Sequence, residues 1–515
     1  MLKGFFRKKL LVGCCIAVLG CSSFAPVTLA EMSSASPSIQ PYLDQVIERI
    51  TEFTLDNGLQ FIVLEDNDAP VVSFVTYADV GGVDEPDGKT GAAHFLEHLA
   101  FKGSTTLGTT NYEAEKVLLD QLDVVFADLQ VAKAAGNEQA IAELEAQFKA
   151  LQKEADQYVV QNALGQVVES AGGVGLNAAT SADYTQYFYS FPSNKLELWM
   201  ALESDRFLDP VFREFYKEKD VILEERRQRT DNSPIGQMVE VFLDAAFTTH
   251  PYRRPVIGYN EDIRNLTRQD IRDFFIEHYA PDNLTIAIVG DVDPEQVEMM
   301  AKAYFGRFPA DQKSVYTPLP AEPPQIETRE VTLELPTQPW YLEGYHAPAV
   351  TDPDFVVYDI ISSILSSGRT SRLYKSLVEE KQVALNAEGF GGFPGDKYPN
   401  LMLFYALTAP GKTVDDVAAV LGDELEKLKT ELVNEKELER VKTQARAGLL
   451  RSLDSNMGMA RLLASYEVTT GDWRNLFKRL DQIAAVTAED IQRVAQETFV
   501  PENRTIGKLL PVAEE

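Results

Sequence analysis

Two histidines and a glutamate fall within five residues in the stretch GAAHFLEHLAFKG, residues 91–103. If His94-Phe95-Leu96-Glu97-His98 is helical, His94 and His98 lie one turn apart on one face, with Glu97 projecting close to them. Two imidazoles so placed can grip one metal ion while the carboxylate reaches a water on it. Zinc lowers the pKa of such a water, and a nearby Glu can take its proton. The order H-x-x-E-H is the inverted zincin pattern. The competing reading, two satisfied core histidines, needs no metal. An accidental match is rare in a chain with only five histidines, so the metal reading leads.

Two ligands do not close a zinc site. The cysteines cannot help, because Cys14, Cys15 and Cys21 all lie near the N-terminus, in or beside an export segment. The exported chain therefore has no thiolate site and no disulfide, and the remaining ligand must be His, Asp or Glu. The stretch YKEKDVILEERRQRT, residues 216–230, offers Glu218 and Glu225. Seven residues are two helical turns, so these two share a face, whereas Glu224 is rotated well away from Glu218.

The elements that must hold these residues occur twice. Residues 267–286 and 487–506 align without a gap, matching Thr267 with Thr487, Asp270 with Asp490, Pro281 with Pro501 and Asn283 with Asn503. Each copy reads as a helix stopped by proline and followed by a strand, so the chain is internally duplicated. Both halves open with strands: TEFTLDNGLQFIVLED, turning at Asn57-Gly58, and VVSFVTYADVGG in one, EVTLEL and PWYLEGYH in the other. LNAATSADYTQYFYSF and, later, LNAEGFGGF and NLMLFYALTA read as further strands. The expectation is an α+β fold of two duplicated domains, each with helices packed on a mainly antiparallel sheet, closing like a clam. The boundaries are a signal peptide over 1–30, a linker over 31–50, a first domain over 51–310, a Pro-rich linker over 311–327 and a second domain over 328–515.

Residues 112–165 have no counterpart. Apolar residues from Leu118 through Leu122, Val125 and Leu129 to Ala132, then from Ile141 to Tyr158, alternate spacings of four and three. That is the seam of an antiparallel helical hairpin. It reads either as an arm for a partner or as a solvated decoration.

With these residues in place, the sequence resembles the pitrilysin family of zinc metallopeptidases, in the branch of the mitochondrial processing peptidase and its bacterial relatives. The segments that carry the resemblance are GGVDEPDGKTGAAHFLEHLAFKGS, LNAATSADYTQYFYSFP, EKDVILEERR, HPYRRPVIG and SSGRTSRLYKSLVEEK. It implies one zinc held by His94, His98 and Glu225, with Glu97 as general base and Glu218 as an outer carboxylate. It also implies that LNAATSADYT is an edge to which an unfolded peptide adds as a strand, with Asn177 and Ala178 beside the scissile bond. The family leaves fewer residues between His98 and Glu225 than the 126 found here, and the excess is about the size of the hairpin. His250, His278 and His346 read as structural, although His250 could touch substrate.

The second half carries no such chemistry. By the repeat, the H-x-x-E-H falls near residues 364–368, ILSSG, and Glu225 falls on Ala445. Family members whose second half completes catalysis supply an Arg and a Tyr that hold the substrate carbonyl, in a segment resembling LVEEKQVALNA, residues 377–387. Here those positions are Val378 and Leu385, neither of which can donate a hydrogen bond. The resemblance therefore implies the zinc-bearing subunit of a heterodimer, with a homologous partner supplying the Arg/Tyr pair. The alternatives are a self-sufficient monomeric or homodimeric peptidase and a non-catalytic scaffold.

Composition agrees with a secreted acidic enzyme. Lys3, Arg7, Lys8 and Lys9 precede the apolar run LLVGCCIAVLG, which reads as a secretory signal. Cleavage after Ala30 and lipidation at Cys21, in the lipobox-like VLGC, both fit, placing the protein in the periplasm or cell envelope. Removal of a segment with four positive charges and no negative one takes the formal charge from -31 to -35. Such a chain repels nucleic acid and anionic lipid and attracts basic peptides.

Overall fold

A computed structural model describes residues 40–512. The export segment, with Cys21, and the first part of the linker lie outside the described residues.

Two sheets organise the chain. The first has the order β1-β2-β6-β3-β5-β4, built from β1 Ile50–Thr54, β2 Gln60–Glu65, β3 Val71–Ala78, β4 Val174–Thr180, β5 Thr185–Pro192 and β6 Leu284–Gly290. The second has the order β7-β11-β8-β10-β9, from β7 Arg329–Leu335, β8 Trp340–Ala347, β9 Ala384–Phe393, β10 Asn400–Thr408 and β11 Arg504–Pro511. One pair in each is parallel, β2 with β6 and β7 with β11; the other pairs are antiparallel. The α+β expectation of two similar domains on mainly antiparallel sheets is met. The segment LNAATSADYTQYFYSF forms two strands, β4 and β5, with a turn closed between them by the Ser181 amide donating to the Tyr184 carbonyl.

The duplication survives in individual hydrogen bonds. Thr267 and Asp270 form a reciprocal cap on helix Arg268–His278, and Thr487 and Asp490 form the same cap on Ala488–Thr498. Asn283 Nδ2 donates to the carbonyls of Asp79 and His278, and Asn503 Nδ2 to those of His346 and Thr498. These side chains bind each terminal helix to the centre of its sheet, so their retention follows from the fold they hold.

Alternation along the strands sets the cores. In the first half, Phe74 stacks on Trp199 at 4.4 Å, and Tyr187, Tyr189 and Phe191 point to the same helix-packed face. The two halves also exchange helices. Met238 and Phe242 of helix Pro234–Ala246 pack on the second sheet so closely that a Cβ on Gly344 or Gly507 would come within 2.9 Å of them. Helix Asn456–Thr470 lies over β3 and β6 of the first sheet, and Asn456 donates to the carbonyl of Val71. A second tie forms where residues 395–398 of the second half meet the β4–β5 turn. Asp183 accepts from Tyr252 Oη at 2.6 Å and from the amides of Asp396 and Lys397.

The hairpin is formed by helices Tyr112–Ala134 and Glu138–Ala155. Leu119, Leu122, Val125, Phe126 and Leu129 are buried. Its base is not solvated: Tyr216 Oη donates to Asp123, Arg268 pairs with Asp120 and Asp123, and buried Arg213 pairs with buried Glu115. The hairpin thus braces helix Phe215–Arg226, which carries Glu218 and Glu225.

Candidate metal centre

The H-x-x-E-H segment occupies the eight-residue helix Ala92–Leu99. So short a helix depends on its ends and its packing. Phe95 stacks on Phe215 of the Glu225-bearing helix at 4.6 Å. Gly91 has φ 88, and a Cβ there would lie 2.7 Å from the Ile257 carbonyl, so only glycine fits this start. The exposed amides of the first turn are met by Glu85, whose carboxylate accepts from Gly91 N at 2.8 Å and Ala93 N at 2.9 Å. Burial pushes the Glu85 carboxyl up to about 8. Sequence reasoning missed Glu85, because a carboxylate capping a helix from six residues upstream has no fixed spacing.

On this frame His94 and His98 face Glu225. His94 Nε2 lies 3.8 Å from one Glu225 oxygen, and His98 Nε2 lies 3.6 Å from the other. One donor atom from each of the three residues falls within 4.8 Å of the other two. Burial, then the neighbouring His98, pulls the His94 pKa down to about 3, so this imidazole is neutral. Its buried Nδ1 finds no hydrogen-bond partner. Glu224, as its rotation required, points away to Arg227 and Gln228.

A chain of polar contacts leads outward from His98. Its Nδ1 lies 3.3 Å from Glu218, which accepts from Lys102 Nζ at 2.6 Å. Lys102 also reaches Glu214, and Glu214 accepts in turn from Gln161, just beyond the hairpin, and from Lys217. Burial raises the Glu218 carboxyl, but the hydrogen bonds from His98 and Lys102 outweigh that and hold it below the usual range. The Lys102 and Glu214 contacts had no sequence signal, since charged pairs on unrelated elements meet only through the fold.

Glu97 accepts from Thr180 Oγ1 of β4 at 2.6 Å. Burial raises the Glu97 carboxyl, and the Thr180 bond offsets this only in part. A cavity of about 370 Å³ opens beside Glu97 and His98, lined also by Phe101, Val160, Asn162 and Asn177. Among the described residues β4 pairs with β5 alone, which leaves its outer edge free; Asn177 is exposed there and Ala178 is buried against the core.

None of the other histidines joins this group. His250 is buried and its Nδ1 accepts from the Tyr252 amide. His278 packs on Phe274, and His346 Nε2 lies against the Ala246 carbonyl. In the second half, Ile364 and Leu365 are fully buried core residues. Leu385 is half exposed at the start of β9, and Arg372 is engaged by Glu437 at 2.7 Å.

Two family profiles match the chain. Insulinase (Peptidase family M16) covers residues 61–118 and 149–259, and Peptidase M16 inactive domain covers 265–445. The chain belongs to peptidase family M16. This is the pitrilysin-type zinc metallopeptidase family that the motifs resembled, and the profile's break at 119–148 falls within the hairpin. The zinc protease PqqE of Helicobacter pylori is 30% identical over 96% of this chain and 98% of its own length. A probable mitochondrial-processing peptidase subunit beta of Arabidopsis thaliana is 25% identical over 90% of this chain and 78% of its own length. A protease from Helicobacter pylori has a solved structure that superposes with a TM-score of 0.76, at 28% identity, over 90% of this chain and 99% of that one. The periplasmic protease PqqL from Escherichia coli shares the fold, with a TM-score of 0.66 at 17% identity over 90% of this chain and 48% of that one.

The donor set fits the metal that the relatives' names imply. Donors about 2.1 Å from a tetrahedral zinc stand roughly 3.4 Å apart; one donor atom from each of the three residues lies within 4.8 Å of the others, so small side-chain shifts would close the set on one ion. A neutral imidazole is the form that ligates, and His98 has the outer carboxylate that metal-bound histidines use.

Proposed function

We propose that this chain is an exported, zinc-dependent endopeptidase of unfolded peptides. The observation that carries the reading is the convergence of His94, His98 and Glu225 beside a Glu97 held by the edge strand. When bound, zinc supplies the Lewis acid that polarises the scissile carbonyl and acidifies the attacking water.

The chain's own residues do the rest. A peptide adding along β4 is gripped by backbone bonds, which places its scissile bond near Asn177 and Ala178. Thr180 fixes one Glu97 oxygen, so the carboxylate faces the attacking water in one orientation. Glu97 takes the water's proton and is placed to return it to the leaving amine. Its raised pKa suits both steps better than a solvated carboxylate would. Glu218 orients His98, and Lys102 and Glu214 hold Glu218.

Export is supported by the N-terminal signal-like segment and agrees with a structural neighbour, PqqL of Escherichia coli, being a periplasmic protease. No helix among the described residues is long and apolar enough to cross a membrane. A heterodimer is supported by Val378 and Leu385, where an Arg/Tyr pair would act, and by the engagement of nearby Arg372 with Glu437. The test is cleavage of a quenched fluorescent peptide mixture by the zinc-loaded chain, alone and with an Arg/Tyr-bearing homologue. Activity that needs the homologue and vanishes in Glu97→Gln supports the reading. Cleavage by the lone chain would contradict the division of labour, and cleavage that persists in Glu97→Gln would contradict the site.

A further inference from the structure

The first sheet has a second face, away from the metal helix. Along β5, Tyr187, Tyr189 and Phe191 enter the helix-packed core, so Phe188 points the other way. Its partners in register, Val75 of β3 and Asn177 of β4, point with it. Helix Asn456–Thr470 covers this face over β3 and β6. Beyond it Phe188 is only half-buried, and Asn177 and Ala179 are exposed. A strip of open sheet therefore runs from that helix to the free edge of β4.

Arg461 stands at the border of the strip. Its guanidinium lies over the Phe188 ring, 3.6 Å from the centroid. No carboxylate among the described residues is within ion-pair distance of it, and its Nε is buried without a hydrogen-bond partner. Arg474, Arg479 and Arg493 of the same half hold carboxylates, whereas the Arg461 guanidinium is stacked on a ring at the border of an open sheet face. A partly desolvated guanidinium is held at a cost. Its buried Nε is out of reach of a ligand, but the two terminal nitrogens are not among the buried atoms, and a planar acceptor can pair with both of them.

We infer that Arg461 receives a carboxylate of the bound peptide. The inference rests on β4 as the docking edge, as proposed above. Strands lie about 4.8 Å apart, so a peptide added to β4 runs roughly 10 Å from β5. Every second residue of that peptide points to the face of Phe188 and Asn177. An Asp or Glu side chain there, or a C-terminal carboxylate, meets Arg461 across the open strip. The bulk acidity of the chain favours basic peptides, and Arg461 adds one local demand of opposite sign. The preferred substrate class is then a peptide with a carboxylate at a fixed distance from the cleaved bond.

The test uses fluorescent peptides in matched pairs, Glu against Gln at each position and free against amidated C-terminus. Binding is read by anisotropy to the Glu97→Gln chain, and hydrolysis is read with the unmodified chain together with the Arg/Tyr-bearing homologue. The expected result is one neutralising change that weakens binding about tenfold at low salt, and less at high salt. In Arg461→Met the same change has no effect, and Arg461→Lys retains part of the discrimination. If amidation carries the penalty, the carboxylate is terminal; if a Glu-to-Gln exchange does, it is a side chain. Thermal unfolding checks that Arg461→Met folds, and Arg461→Lys decides the matter if it does not. Equal discrimination with and without Arg461 overturns the inference, and so does a failure of every peptide to bind. Hydrolysis that ignores Glu97, with an Arg461-dependent binding ratio intact, defeats the proposed catalysis and leaves Arg461 in its role.

Discussion

The two halves share one fold and differ in what fills the same place. In the first, the helix after the opening strands presents His94, Glu97 and His98. In the second, helix Phe355–Ser366 presents Ile360, Ile361, Ile364 and Leu365, all fully buried. The first half surrounds its helix with carboxylates and the lysine that steadies them, and the second closes the space with hydrocarbon. A buried polar cluster costs stability unless every member is satisfied. The second half has its own buried carboxylate, Glu343, but both of its oxygens accept from the hydroxyls of Tyr341 and Tyr345, and what the two halves keep in common is the Thr–Asp caps and the Asn283 and Asn503 bridges.

The comparison breaks most sharply at Glu97. Glu97→Gln should lower peptide cleavage by about 10²–10⁴-fold, while zinc content and thermal unfolding stay as they are, because Gln still accepts from Thr180. A loss of zinc together with activity would make Glu97 a structural residue. Restoring chemistry to the second half is the next largest test. Val378→Arg with Leu385→Tyr should raise cleavage by the lone chain at least about tenfold, as donors to the substrate carbonyl do. No gain would place the missing pair elsewhere.

The outer contacts should matter less. Lys102→Met removes the cation between Glu214 and Glu218 and should weaken zinc binding roughly 10-fold, with Lys102→Arg recovering part of it. Competition with a zinc chelator measures this without any substrate. The smallest effect concerns the tie between the halves. Burial, then Asp183 and Asp359, raises the Asp396 carboxyl to about 6. A carboxyl whose pKa is higher when folded contributes stability that is full at acid pH and lost as pH rises through about 6. The unfolding temperature should therefore fall from pH 5 to pH 7.5, with Glu85, held near 8, contributing the larger part, and Asp396→Asn should lessen that slope without abolishing it.

Much of this was legible in the sequence because it rests on local spacing. His94 to His98 and Glu218 to Glu225 are helical distances, and the capping residues of the repeat recur at fixed positions. What escaped depends on chain segments meeting from far apart. Glu85 caps a helix through a loop, and Lys102 reaches Glu214 across 112 residues. Pro234–Ala246 and Asn456–Thr470 each pack on the other half's sheet, which no amphipathic pattern can announce. The hairpin seam was visible, but its anchorage through Arg213, Arg268 and Tyr216 was not, because charged residues on a helix face ordinarily read as solvated.

The central claim is that three residues of one half make a single metal site and the other half makes none. Zinc content after equilibrium dialysis tests it most directly. The account predicts one zinc per chain for the unmodified protein and none for His94→Ala with His98→Ala and Glu225→Ala, with both proteins folded by circular dichroism. Equal zinc in the two proteins, or two zinc ions in the unmodified chain, would contradict it.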